Sequence, residues 1–273
     1  MAPRRLSRNA PSVVGDANQS AVSSSQPSPR ESAERNSDFP WDDFDSGWYY
    51  DHNYKVLRDD DRQIVEIVRD FFATLDPLSR GNGIDVGSGT NLYPALTMLP
   101  FCEKITLYEY SLPNVSWLER EVQCYSSSWD PFWDLLVEEQ PYSSIVSPRK
   151  MLAAKARVEP GSIFDLPESS WDIGTMFFTA ESISPEPAEF KTALGSFIGA
   201  LRPGAPFSAA FMENSLGYSV DGRYFPAVAV TENDVENGLT GDTKDLEIYR
   251  IGLTGSPLRA GYDGMIVATG RVV

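Results

Sequence analysis

Apolar positions along the chain alternate between two periods. Ile64, Ile67, Val68, Phe71 and Phe72 recur three to four residues apart, which predicts a helix over residues 59–75. A short apolar run at 83–86 predicts a first strand, followed by a helix at 92–99 that stops near Pro100. A second strand at 104–108 ends at Glu109, and a helix follows over 114–125. Residues 128–155 read as helix in pieces, inserted before a third strand bracketed by 156–158 and by Ser162 and Ile163. The segment 171–178 is apolar throughout, as for a strand covered on both faces. A helix at 187–201, a strand at 206–212 and a short helix at 232–239, N-capped by Thr231, come next. Strands at 246–253 and 264–272 close the chain. This alternation predicts an α/β fold: a doubly wound, mostly parallel, seven-stranded sheet.

The first 38 residues do not share the pattern. They are rich in Ser, Pro, Arg and Asn and poor in large apolar side chains, so burial cannot offset the entropy of ordering them. They read as a disordered tail, with one domain over 39–273 whose residues 39–75 form an aromatic lid and a helix. Of 273 residues, 41% are hydrophobic, enough for a substantial core. The net charge of −16 disfavours nucleic acid and anionic membrane as partners. Two cysteines, Cys102 and Cys124, and one histidine, His52, fall short of a zinc cage, so no metal is expected. Both cysteines read as small buried residues. No apolar run approaches the length of a membrane span. The chain is therefore read as a cytoplasmic monomer acting on a small molecule.

Candidate chemistry gathers where the strands end. After the first strand, Asp85 precedes Gly87, Ser88 and Gly89, a tight turn whose glycines let backbone approach a ligand closely. A dinucleotide site would place a third glycine where Leu92 stands, which counts against an NAD-dependent dehydrogenase. Glu109, twenty residues beyond Gly89, is positioned to accept hydrogen bonds from both ribose hydroxyls, and Asn114 follows. Ser162 and Ile163 fall where an adenine would sit, with Asp165 as a rival. Glu181 and Glu213 lie just past the fourth and fifth strands. Trp41, Phe44, Trp48, Tyr49, Tyr50 and Tyr54 crowd the segment before the first long helix, suiting a lid over a cationic cofactor. Of these, Trp41 and Phe44 read as an anchor, Tyr49 and Tyr54 as site residues, and His52 as part of the lid. Trp129 and Trp133, four apart, read as helix packing.

These stretches resemble the nicotinamide, phenylethanolamine and indolethylamine (thioether) N-methyltransferase family of class I S-adenosylmethionine (SAM) enzymes, from about Tyr49 to the C-terminus. The similar segments are the loop from Asp85 through Tyr93, the stretch from Leu107 to Asn114, the Tyr-rich start from Tyr49 to Lys55, and the segment from Phe178 to Pro185. The turn from Leu201 to Gly204 is similar as well, and the stretch from Met212 to Ser215 matches with a one-residue gap. The resemblance implies SAM as cofactor, held by Tyr49, Tyr54, Asp85, Gly87, Ser88, Gly89, Tyr93, Glu109, Asn114, Ser162 and Ile163. In it, Asp85 helps hold the cofactor's cationic methionine end. The resemblance also implies amine-binding, catalytic roles for Glu181 and Glu213, with Phe178 and Tyr218 against the substrate. Residues 214–225 diverge beyond Tyr218, so the family's substrates do not transfer to this chain. Methylation of a thiol or pyridine, or a SAM-binding protein using other chemistry, are the alternative readings.

Overall fold

The computed structural model describes residues 34–76, 81–253 and 257–273. The expected tail lies outside them up to residue 33. Residues 34–38, also assigned to the tail, are ordered: Asn36–Asp38 forms a 3-10 turn, and buried Asn36 donates its N–H to Glu189 Oε2 at 2.8 Å. The Asn36 carbonyl accepts from the Trp41 indole. A sequence window without apolar residues does not register such backbone ties.

Helix α1 (Ser46–Asn53) is N-capped by the Asp45 carboxylate, and α2 (Asp59–Ala73) starts with three acids at its positively polarised end. Strand β1 (Gly81–Val86), α3 (Tyr93–Met98), β2 (Cys102–Glu109) and α4 (Leu112–Glu121) follow. Helices α5 (Asp130–Leu136) and α6 (Pro148–Lys155) make up the predicted insertion. Then come β3 (Ala156–Pro160), β4 (Ile173–Phe177), α7 (Pro187–Ala200) and β5 (Pro206–Glu213). A hairpin of β6 (Tyr218–Val220) and β7 (Arg223–Phe225) was not foreseen; its strands are too short to establish a period. Helix α8 (Glu232–Leu239), β8 (Thr243–Gly252) and β9 (Gly264–Val272) complete the domain.

Seven strands form one sheet in the order β3-β2-β1-β4-β5-β9-β8. Strands β1 to β5 pair in parallel, and β9 inserts antiparallel between β5 and β8. Alternate residues feed two cores. Ile84, Val86, Phe207, Ala209 and Phe211 join α7 and α8 on one face, whereas Ile105, Leu107, Ala210 and Met212 join α2, α3 and α5 on the other. The apolar stripe of α2 supplies Ile64, Val65, Val68 and Phe72, all fully buried. Trp129 and Trp133 pack in this second core as expected, but Cys124 is exposed. Among the described residues no helix is long and apolar enough to cross a membrane. With five parallel strands and a reversal of strand order between β1 and β4, the crevice at their carboxyl ends is where a ligand belongs.

Candidate active site

Two adjoining cavities open at those ends. The smaller, about 100 Å³, is lined by the β1 turn (Gly87, Ser88, Gly89), by Glu109 and Asn114 after β2, by Ile163 after β3, and by Phe178 and Thr179 after β4. Trp41, Phe44, Tyr49 and Tyr54 cover it. The larger, about 270 Å³, lies under α1 and the β6–β7 hairpin and is lined by His52, Asp61, Met212 and Arg259, among others. Tyr49, Tyr54, Phe178 and Tyr218 line both cavities and form the partition between them.

The floor of the smaller cavity is built by backbone. Gly87 has φ +65°, its N–H donates to the Tyr108 carbonyl at 2.7 Å, and a Cβ there would lie 2.2 Å from Thr179 Cγ2. Gly89 has φ +56°, and its N–H donates to Glu109 Oε2 at 2.8 Å. The other Glu109 oxygen accepts from the Ser111 N–H, also at 2.8 Å. Two amides thus fix the carboxylate against the glycine turn. Burial raises the Glu109 pKa while these amides and Asn114 pull it back.

The partition is aromatic. Tyr49 and Tyr54 pack edge to face at 6.1 Å. Burial pushes the Tyr49 phenol up to about 12. Phe178 has φ +56°, an uncommon conformation for a residue with a side chain, and it is held there by its N–H bond to the Ala210 carbonyl. Trp41 and Phe44 pack on Phe225 of the hairpin at 5.1 and 5.2 Å, so these anchor residues also roof the cavity. His52 stacks on Trp48 within α1.

Not every expected site residue reaches a cavity wall. Asp85 is buried beneath the turn; its Oδ1 accepts from Thr175 Oγ1 at 2.7 Å, Oδ2 has no partner, and burial pushes its pKa up to about 7. Tyr93 stands behind the wall and donates to Asp61 at 3.1 Å. Ser162 caps the 3-10 turn at Ile163–Asp165, and of the two expected residues Ile163 lines the cavity. Glu181 is fully buried behind the partition: Oε1 accepts from the Met212 N–H at 2.9 Å, and Oε2 is unpartnered. Tyr49 and Tyr218 both feel its charge, and burial pushes its own pKa up to about 7.

Glu213 is paired with a cation. Both its oxygens accept from Arg250 Nε, at 2.9 and 2.7 Å, and Oε2 also pairs with Arg250 Nη2 at 2.7 Å. It lines neither cavity, because the antiparallel β9 and β8 bring Arg250 alongside the end of β5. The acid on the wall of the larger cavity is Asp61, also pushed up to about 7 by burial, whereas Glu181, like Glu213, lines neither cavity. In the sequence, Asp61 sits in an acidic run that reads as helix N-terminal charge. Arg259 lies between predicted strands with no periodic signal, and it too went unforeseen.

No protein-family model matches the chain. Phenylethanolamine N-methyltransferase of Macaca mulatta is 26% identical over 195 residues, covering 66% of this chain and 68% of that protein. Among solved structures, a SAM-dependent methyltransferase from Methanosarcina mazei aligns with a TM-score of 0.51 at 14% identity, covering 75% of this chain and 97% of its own. A DhpI–SAM–HEP complex aligns at 0.50 and 13% identity, covering 82% and 93%. At such identities the likeness establishes the fold, which is the Rossmann-like class I methyltransferase fold.

Proposed function

We propose that this chain is a SAM-dependent methyltransferase acting on a small molecule, with an amine nitrogen as the acceptor atom. One observation carries the reading: two cavities meet at a shared aromatic partition, one floored by a glycine turn and a pinned carboxylate, the other lined by the buried carboxyl of Asp61. The geometry suits a two-substrate transfer. The relative from Macaca mulatta, whose name describes amine methylation, supports the same assignment.

The residues of the smaller cavity fit the cofactor. A Cβ at Gly89 would meet nothing closer than 3.9 Å, so that position opens on the cavity, and Glu109 keeps acceptor capacity beyond the two amides it binds. Glu109 would receive the ribose hydroxyls, Ile163 would pack against the adenine, and Tyr49 and Tyr54 would exclude water above the sulfonium. When bound, SAM supplies a methyl group on a positively charged sulfur. The chain itself aligns the acceptor and manages its proton. An ammonium has no free lone pair, so one proton must leave before the N–C bond forms as the S–C bond breaks. Glu181, with a pKa raised to about 7, is a stronger proton acceptor than an ordinary carboxylate. In this reading the acids serving the acceptor are Glu181 and Asp61, and Glu213 is a structural partner of Arg250.

Calorimetric titration with SAM and with NAD, followed by detection of S-adenosylhomocysteine over a panel of amines, thiols, pyridines and phenols, tests the proposal. Binding of SAM with turnover of amines is expected. Accumulation of methylthioadenosine would point to other SAM chemistry, and turnover of thiols or pyridines alone would move the acceptor atom.

A further inference from the structure

The larger cavity holds a cation that the transfer chemistry does not use. Arg259 lies on its wall, between the rings of Tyr218 and Tyr262, with its guanidinium carbon 5.7 and 5.4 Å from their centroids. Nη1 donates to the Gly217 carbonyl at 2.7 Å; Nη2 donates to Ser215 Oγ at 2.8 Å and to Met212 Sδ at 3.1 Å. All three acceptors are neutral. Among the described residues no carboxylate lies within ion-pair distance of Arg259, although this is an acidic chain of net charge −16. A guanidinium has five N–H donors, and three are accounted for here. The two ring contacts and the neutral hydrogen bonds hold the guanidinium in place, as suits an arginine that reads planar or tetrahedral anions.

The acids nearby do not cancel this charge near neutral pH. Asp61 and Glu181 are both pushed up to about 7 by burial, so a substantial fraction of each is uncharged there. A purely cationic acceptor would enter a cavity already holding a fixed positive charge. An acceptor carrying an anion as well as an amine would satisfy both ends.

Resting on the methyltransferase reading above, we propose that the acceptor is amino acid-like, with its amine toward Glu181 and a carboxylate or phosphoryl group on Arg259. Arg259 is then the residue that selects the substrate class.

The test uses matched pairs differing only in the anion: phenylalanine, tyrosine and tryptophan against 2-phenylethylamine, tyramine and tryptamine, with 2-aminoethylphosphonate against ethylamine. Each is titrated into the SAH-loaded full-length protein and assayed with SAM, for the wild type, Arg259→Gln and Arg259→Lys. At least one anion-bearing member is expected to bind and turn over better than its anion-free counterpart. Arg259→Gln should raise its KM and Kd about 10- to 100-fold, with smaller effects on kcat and on SAM affinity. Arg259→Lys should recover part of the loss, and the anion-free members should change less than twofold in both variants. A purely structural role would instead depress both members of every pair alike. Three outcomes overturn the inference: anion-free members preferred, no pair bound at all, or a loss of SAM affinity in Arg259→Gln, which would assign the guanidinium to the cofactor's own carboxylate. Turnover of the anion-free amines in preference to their anion-bearing partners would sink this inference and leave the transferase reading standing. Failure to bind SAM would sink both.

Discussion

Replacing Glu181 by Gln should stabilise this protein in alkaline solution while damaging its catalysis. The carboxyl is fully buried, and its pKa rises from 4.5 to about 7, chiefly through burial and in spite of the Met212 N–H and the Arg259 charge. The folded state therefore holds the Glu181 proton more tightly than the unfolded state does. Between the two pKa values the folded chain binds more protons, so this group's contribution to stability falls as pH rises from 4.5 to about 7 and stays low above that. The full cost of ionising the buried group is about 3 kcal/mol. Gln keeps the oxygen that accepts from Met212 and replaces the unpartnered Oε2 with an amide, so it resembles the protonated acid at every pH. Urea unfolding followed by tryptophan fluorescence should find Glu181→Gln more stable than wild type by about 2–3 kcal/mol at alkaline pH, corresponding to roughly 4–12 °C in Tm for a domain of this size. The difference should shrink toward zero in mildly acidic buffer. Asp61 and Asp85 share the same direction, so the wild-type curve alone cannot identify Glu181, whereas the difference between variant and wild type isolates it. Catalytic efficiency should fall tenfold or more, about 1.4 kcal/mol, and less so at high pH, where more of the amine is already neutral. A stability difference independent of pH, or a Gln variant less stable than wild type in alkaline solution, would refute the reasoning.

Four further outcomes are expected. Glu109→Ala should weaken SAM by about 1.5–3 kcal/mol, roughly 10- to 150-fold by calorimetry, and unchanged affinity would remove it from the cofactor site. Glu213→Gln should lower stability only slightly, by weakening its pairing with the exposed Arg250, with kcat/KM for the acceptor within about twofold of wild type; a tenfold kinetic loss would restore it to the site. Gly87→Ala should destabilise the fold by about 1–3 kcal/mol, since φ is positive and the new methyl meets Thr179; a neutral effect on denaturant unfolding would contradict that geometry. Removing residues 1–33 should leave SAM affinity and turnover near wild type, whereas removal through Tyr54 should abolish SAM binding by taking the roof away; lost activity in the shorter truncation would give the tail a role.

What the sequence determined by itself was local. The run into Asp85, the glycines at 87 and 89 and the acid at 109 follow from strand period, turn chemistry and the rule that ligands sit at strand ends, each legible within about ten residues. The same holds for the doubly wound order and the aromatic segment before α2. The tertiary structure decided which polar groups face the cavities. Glu181 and Glu213 are equivalent in sequence, each an acid just past a strand. Only the antiparallel return of β9 and β8 puts Arg250 against Glu213 and leaves Glu181 with an unpartnered oxygen. Asp61 looked like a charge at a helix start until α2 packed beside Tyr93 and Tyr54. Arg259 comes from a loop with no period to read, and its place between two tyrosines depends on residues about 40 positions upstream as well as on near neighbours. Periodicity reports which face of an element is buried; which buried acid finds a cation depends on pairings between distant strands.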